Sequence, residues 1–286
     1  MSISAERSEQ PPGGRRSSAM LGWLAMALGL AAALLLLRAG QAVAELVSVS
    51  SLTGSIVLFY GAVFGPLVVL SLALGKIEGR SVLRGGTRRL RWATIGLVTG
   101  AGGLGAAALF AWLHGVLAAA PIGDGAADRG AGFIALGLAI TVLQVLAEEL
   151  LFRGWLLAAL LDRMMPALAI GLSAAAFSLF HLIGGAQAPL SLLNLMLGGV
   201  WFGLLAWRSG GILAPFMAHF GWNVAEDMGL GLVPNPGVGE FGALSDHDII
   251  GPALWGGSDD GLNASIAMTI VLVALIIPLL ARRARA

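Results

Sequence analysis

The chain has 286 residues, 57% of them hydrophobic and only 12% charged, a composition outside the range of soluble globular domains and suited to a bilayer. A formal net charge of +1 gives no reason to expect a nucleic-acid partner, and the absence of cysteine excludes disulfide frameworks, thiolate nucleophiles and Cys-ligated metal centres. The expected fold class is therefore all-α: a polytopic membrane protein of about eight transmembrane helices, with membrane lipid as a partner.

Residues 1–18 carry Ser, Pro, Gly, Arg and Glu without periodicity and read as a disordered tail. A hydrocarbon core of about 30 Å takes about 20 apolar residues per helix. On that measure the rest divides into spans at residues 19–37, 46–75, 92–120, 133–161, 166–183, 189–207, 212–232 and 266–280. Ala42-Val43-Ala44 offers a signal-peptidase site after the first span, but its apolar run exceeds the h-region length of roughly 7–15 residues and reads as a signal anchor.

An even number of spans puts both termini on one side. That side carries Arg7, Arg15, Arg16, six basic residues within 76–91, Arg163, Arg208, Arg282, Arg283 and Arg285, so the positive-inside rule predicts it to be cytoplasmic. The other side has Arg38 and Arg129, and its loop from about residue 233 to 263 holds Glu240, Asp246, Asp248, Asp259 and Asp260 without Lys or Arg. The organisation expected is a tail at 1–18, three helices within 19–132, a core rich in polar residues at 133–232, an acidic extracytoplasmic loop at 233–263, and a last helix with a basic tail at 264–286.

The fourth span places Glu148, Glu149 and Arg153 at membrane depth, where each uncompensated charge costs on the order of 2.5–3.5 kcal/mol. Glu149 and Arg153, at i and i+4 with the acid first, suit a helical ion pair. Glu148 points about 100° away and is free for another neighbour. Phe177 and His181 share a face of the fifth span, with Phe177 read as packing, and His219 and Asn223 share a face of the seventh. If the turn at 162–166 lies at the surface, Glu148 and His181 are each roughly 21–23 Å deep at the helical rise. His219 comes out only about 10 Å deep by the same arithmetic, so its helix starts below the surface or the site slopes. A peptide hydrolase needs a base for water, an acid for the leaving amine and donors for the oxyanion; Glu148 and His181 suit the first two roles, His219 and Asn223 the third. His114 and His247 have no such company and read as structural and loop residues.

These residues fall in three short patterns. Glu148-Glu149-Leu150-Leu151-Phe152-Arg153 resembles the EExxxR motif, Phe177 to His181 the FxxxH motif, and His219 to Asn223 the HxxxN motif of the CAAX proteases and bacteriocin-processing enzymes, the CPBP or Abi family, which includes the type II CAAX prenyl endopeptidases. The resemblance covers about residues 133–232. It implies an intramembrane endopeptidase acting on membrane-associated protein or peptide substrates, with Glu148 and His181 activating water, Glu149 and Arg153 supporting the site, and His219 and Asn223 stabilising the oxyanion. The family is customarily labelled metalloprotease, and two routes stay open: no cofactor, or a single zinc ion held by Glu149, His181 and His219 with the second carboxylate as base. The H-E-x-x-H helix of zinc proteases is absent. An Ala-, Gly-, Leu- and Arg-rich composition suggests a high-GC bacterium and its cytoplasmic membrane, and argues against a prenylated target. The competing readings are a proton-coupled transporter relaying protons through Glu148, Glu149 and His181, and a non-enzymatic scaffold or immunity-type binding protein.

Overall fold

The computed structural model describes residues 12–120, 131–185, 188–232, 239–258 and 260–281. Eight helices make up most of them: α1 (Pro12–Leu46), α2 (Leu52–Ile77), α3 (Arg89–Leu113), α4 (Ala131–Leu161), α5 (Pro166–Gly184), α6 (Pro189–Ser209), α7 (Leu213–Val224) and α8 (Ile266–Ala281). The first six contain apolar stretches long enough to cross a bilayer, which makes this a multi-pass membrane protein. The last two, of 12 and 16 residues, are shorter than a full span. Arg7, Arg129, Asp259, Arg282, Arg283 and Arg285 lie outside the described residues.

Several boundaries differ from the sequence expectation, among them the end of α1, which runs to Leu46 rather than residue 37, and the start of α2 at Leu52 rather than residue 46. Helix α1 begins at Pro12, inside the segment read as tail. The third span stops at Leu113 rather than continuing to residue 120, because Gly115 turns the chain with φ +71°, a conformation a side chain resists. Leu117–Ala119 then forms β1, which pairs antiparallel with β2 (His247–Ile249), Leu117 opposite Ile249. The acidic loop is thereby folded back onto the end of α3, where His114 stacks on Trp255 at 4.8 Å and His247 meets the Leu230 carbonyl at 3.1 Å. Finally, α7 ends at Val224 and a π-helical turn, Ala225–Gly229, follows it.

Helix α3 packs along α7 and α5 along α6. The first contact is close because Gly96, Gly100 and Gly103 of α3 face Ala214, Ala218 and Trp222 of α7, the small-residue packing that lets membrane helices approach. Other polar bonds tie the acidic loop to the bundle: the Asp260 carboxylate accepts from the Ala188 N–H before α6, and Asn194 donates to the carbonyls of Asn263 and Ser265.

The loop between α2 and α3 folds inward as a strap. Trp155 donates to Glu78 at 2.9 Å, Glu78 accepts from Arg80 at 2.8 Å, and Arg80 also pairs with Asp162. Burial works against the Arg80 charge, but hydrogen bonds and attraction from Asp162 and Glu78 outweigh it and hold the guanidinium above its ordinary value. Val82 is buried, and its carbonyl lies where a Cβ on Gly154 would meet it at 2.7 Å, so only glycine fits there. Gly85 bridges to Gly211, and the Arg84 carbonyl accepts from Ile212 at 2.8 Å, immediately before α7. Gly154 stands seven residues before Leu161, about 10 Å along the axis. The strap thus sets the start of α7 about that far inside the bundle. A further 10 Å of α7 brings His219 to the level of Glu148, as expected of a helix that begins inside the level of the 162–166 turn.

Candidate active site

Helix α4 does not continue as a regular α-helix through its charged residues: Leu150–Leu156 is π-helical. Such a turn widens the backbone and often marks a functional site. The Phe152 carbonyl within it is shared between the Leu157 N–H and the Ser173 hydroxyl of α5, the latter at 2.9 Å. The π turn begins directly after Glu149 and carries Arg153 into the core, where its side chain and that of Glu149 are fully buried.

Glu149 Oε1 accepts from Arg153 Nη1 at 3.0 Å and from His219 Nδ1 at 3.0 Å. Arg153 Nη2 reaches the Gly199 carbonyl of α6 at 3.4 Å. Its guanidinium lies 4.4 Å from the Phe177 ring centre and 5.1 Å from that of Phe202, contacts that compensate a buried cation. Phe202 also stacks on the His219 imidazole at 4.8 Å. Phe177 therefore packs as the sequence reading has it, and Phe202 does the same work from α6. Nothing in the spacing singled out Phe202, which reads as one more apolar residue of a membrane helix.

Glu148 turns to other neighbours. Its Oε1 accepts from Gln144 at 3.3 Å, one turn earlier on α4. Its Oε2 is buried without a hydrogen-bond partner, 4.0 Å from His181 Nε2 and 3.9 Å from His219 Nε2. The antiparallel α4–α5 hairpin has brought Glu148 and His181 to one depth, and α7 adds His219. Asn223 stands one turn beyond His219 on the same face, half-buried, and no described residue bonds its amide.

The hydrogen bonds assign the tautomers. His181 Nδ1 lies 2.9 Å from the Phe177 carbonyl, and His219 Nδ1 faces the Glu149 carboxylate. Both partners only accept, so each Nδ1 carries a proton and each neutral imidazole presents a bare Nε2. Glu148 Oε2 then has two bare Nε2 atoms at 4.0 and 3.9 Å, three acceptors with no donor among them. A water molecule, with two protons to give, fits that arrangement.

Of the zinc set read from sequence, Glu149 and His219 meet at 3.0 Å through the Nδ1 of His219, with Glu149 Oε1 also accepting from Arg153, while His181 Nε2 lies 4.0 Å from Glu148; among the described residues no group of three His, Asp or Glu side chains is placed to hold an ion. Sequence reading also passed over Glu226 in the π turn after α7; it is buried and accepts from Asn263 at 2.9 Å, a bond that secures the acidic loop.

Residues 130–225, the segment carrying all six of these site residues, match the model of a family described as type II CAAX prenyl endopeptidase Rce1-like. The chain resembles that family across α4 to α7. No curated protein matches the chain.

Proposed function

Taking the likeness of α4–α7 to the type II CAAX prenyl endopeptidases as premise, we propose that this protein is an intramembrane endopeptidase that hydrolyses peptide bonds of membrane-associated proteins or peptides with water activated by Glu148 and His181. The observation that carries the reading is the unpartnered Glu148 Oε2 between two bare imidazole nitrogens at 4.0 and 3.9 Å.

Water held there donates one O–H to Glu148 and the other to His181 Nε2. Glu148 takes the first proton as the oxygen attacks the peptide carbonyl, which is general-base catalysis. The negative charge that develops on the carbonyl oxygen is met by the Asn223 amide and by His219 once its Nε2 has taken a proton from solvent, its Nδ1–H held on the Glu149 carboxylate. When the C–N bond breaks, Glu148 returns that proton to the leaving amine, while the second water proton, left on the new carboxyl group, passes through His181 Nε2 to solvent, so that one carboxylate and one amine result. Arg153 holds Glu149 in place at 3.0 Å, so its part is positioning. The arginine distribution supports a bacterial cytoplasmic membrane protein with both termini and the strap on the cytoplasmic side.

Purified protein in detergent, incubated with a pooled decapeptide library in ¹⁸O-water, should yield new C-termini carrying one ¹⁸O by mass spectrometry. Absence of cleavage by the wild-type chain across the library would overturn the reading.

A further inference from the structure

The two adjacent carboxylates of α4 are held by donors of different kinds. Glu149 has a cation, Arg153, four residues after it at 3.0 Å. Glu148 has a neutral amide, Gln144, four residues before it at 3.3 Å, and among the described residues no other group donates to its carboxylate. The two bonds also stand on different backbone. Gln144 and Glu148 share a face of the regular helix that runs from Ala131 to Glu149, whereas Arg153 lies within the π-helical turn that follows.

The Gln144 bond decides how the Glu148 carboxylate is turned. Its two oxygens are chemically equal, and the terminal torsion of a glutamate is broad and two-fold, so nothing in Glu148 itself selects the oxygen that meets the imidazoles. With Oε1 taken by the Gln144 N–H, Oε2 is the oxygen left 4.0 Å from His181 Nε2 and 3.9 Å from His219 Nε2. The kind of donor matters as much as its place. A cation at this position would pair with Glu148 as Arg153 pairs with Glu149, and a carboxylate whose charge is already met is a poorer base. A neutral amide fixes one oxygen and leaves the charge to the water.

We infer that Gln144 is a positioning residue of the reaction: its amide N–H pins Glu148 Oε1 and so presents Oε2 as the base, between the two imidazoles. The inference rests on the hydrolase reading above.

The test uses the decapeptide that the wild type cuts fastest from the pooled library. Gln144→Met keeps the length of the side chain without its donor, and kcat should fall roughly tenfold, the scale of one hydrogen bond, with KM and the detergent melting temperature unchanged. Gln144→Lys restores a donor and adds a charge; it should melt no lower than Gln144→Met and yet lose kcat roughly a hundredfold, as when a base is withdrawn. Were the bond only structural, the lysine would serve better than the methionine. Wild-type kcat in folded Gln144→Met, or a Gln144→Lys protein more active than Gln144→Met, overturns the inference. The bond can also be read without turnover. With ¹⁵N in the glutamine side chains, the Gln144 amide resonance, identified by its loss in Gln144→Met, should move upfield in Glu148→Leu. No movement overturns the bond and the inference with it. A wild type that shows the bond and cleaves nothing would uphold the orientation of Glu148 while defeating the hydrolase reading, so the two fail separately.

Discussion

One oxygen of Glu149 receives the Nδ1–H of His219 from a helix seventy residues further along, at the same 3.0 Å at which it holds Arg153 on its own helix. That oxygen joins α4 to α7 and fixes which His219 nitrogen faces Glu148. Glu149→Gln should therefore strand a buried guanidinium and loosen His219 together. Breaking a buried pair from one side costs about 3–5 kcal/mol, and a detergent melt should show a clear drop along with loss of turnover. A variant that melts like wild type would mean that the pair contributes little to the fold.

Glu148 shares the burial of its neighbour without the ion pair. Glu148→Gln keeps the shape and the Gln144 contact but removes the base, so the protein should fold with an unchanged melt while turnover falls roughly a hundred- to ten-thousand-fold. Near wild-type cleavage by the folded variant would show that Glu148 is not the base.

Exhaustive chelation should leave activity intact, since three acceptors around a water suffice for the proposed chemistry. Loss of activity on chelation, restored by stoichiometric zinc, would overturn the metal-free route.

Topology can be read with single cysteines in this cysteine-free chain. Leu244, 82% exposed in the acidic loop, should label as Leu244→Cys with an impermeant reagent applied outside intact cells, and Ser81→Cys in the strap should not. The reverse pattern would invert the orientation.

Much of this arrangement is legible in the chain because helical spacing is a local property. Glu149 with Arg153, and His219 with Asn223, declare themselves at i and i+4, and counting from a hairpin turn is enough to level Glu148 with His181. The π turn was not legible: Leu150–Leu156 has the composition of an ordinary buried helix, and what widens it is the fit of Arg153 among Phe177, Phe202 and Gly199, all distant in sequence. The depth of α7 escaped for a related reason, since it is set by the strap's backbone at Arg84 and Gly85, which leaves no side-chain pattern. Glu226 sits singly, without the paired spacing that gave the other polar residues away.

A bundle with carboxylates and imidazoles at mid-membrane is one continuous file of water away from being a proton leak. The rings of Phe152, Phe177 and Phe202 pack around Arg153, and its side chain and that of Glu149 are fully shut from solvent, so no file of water runs through the ion pair itself.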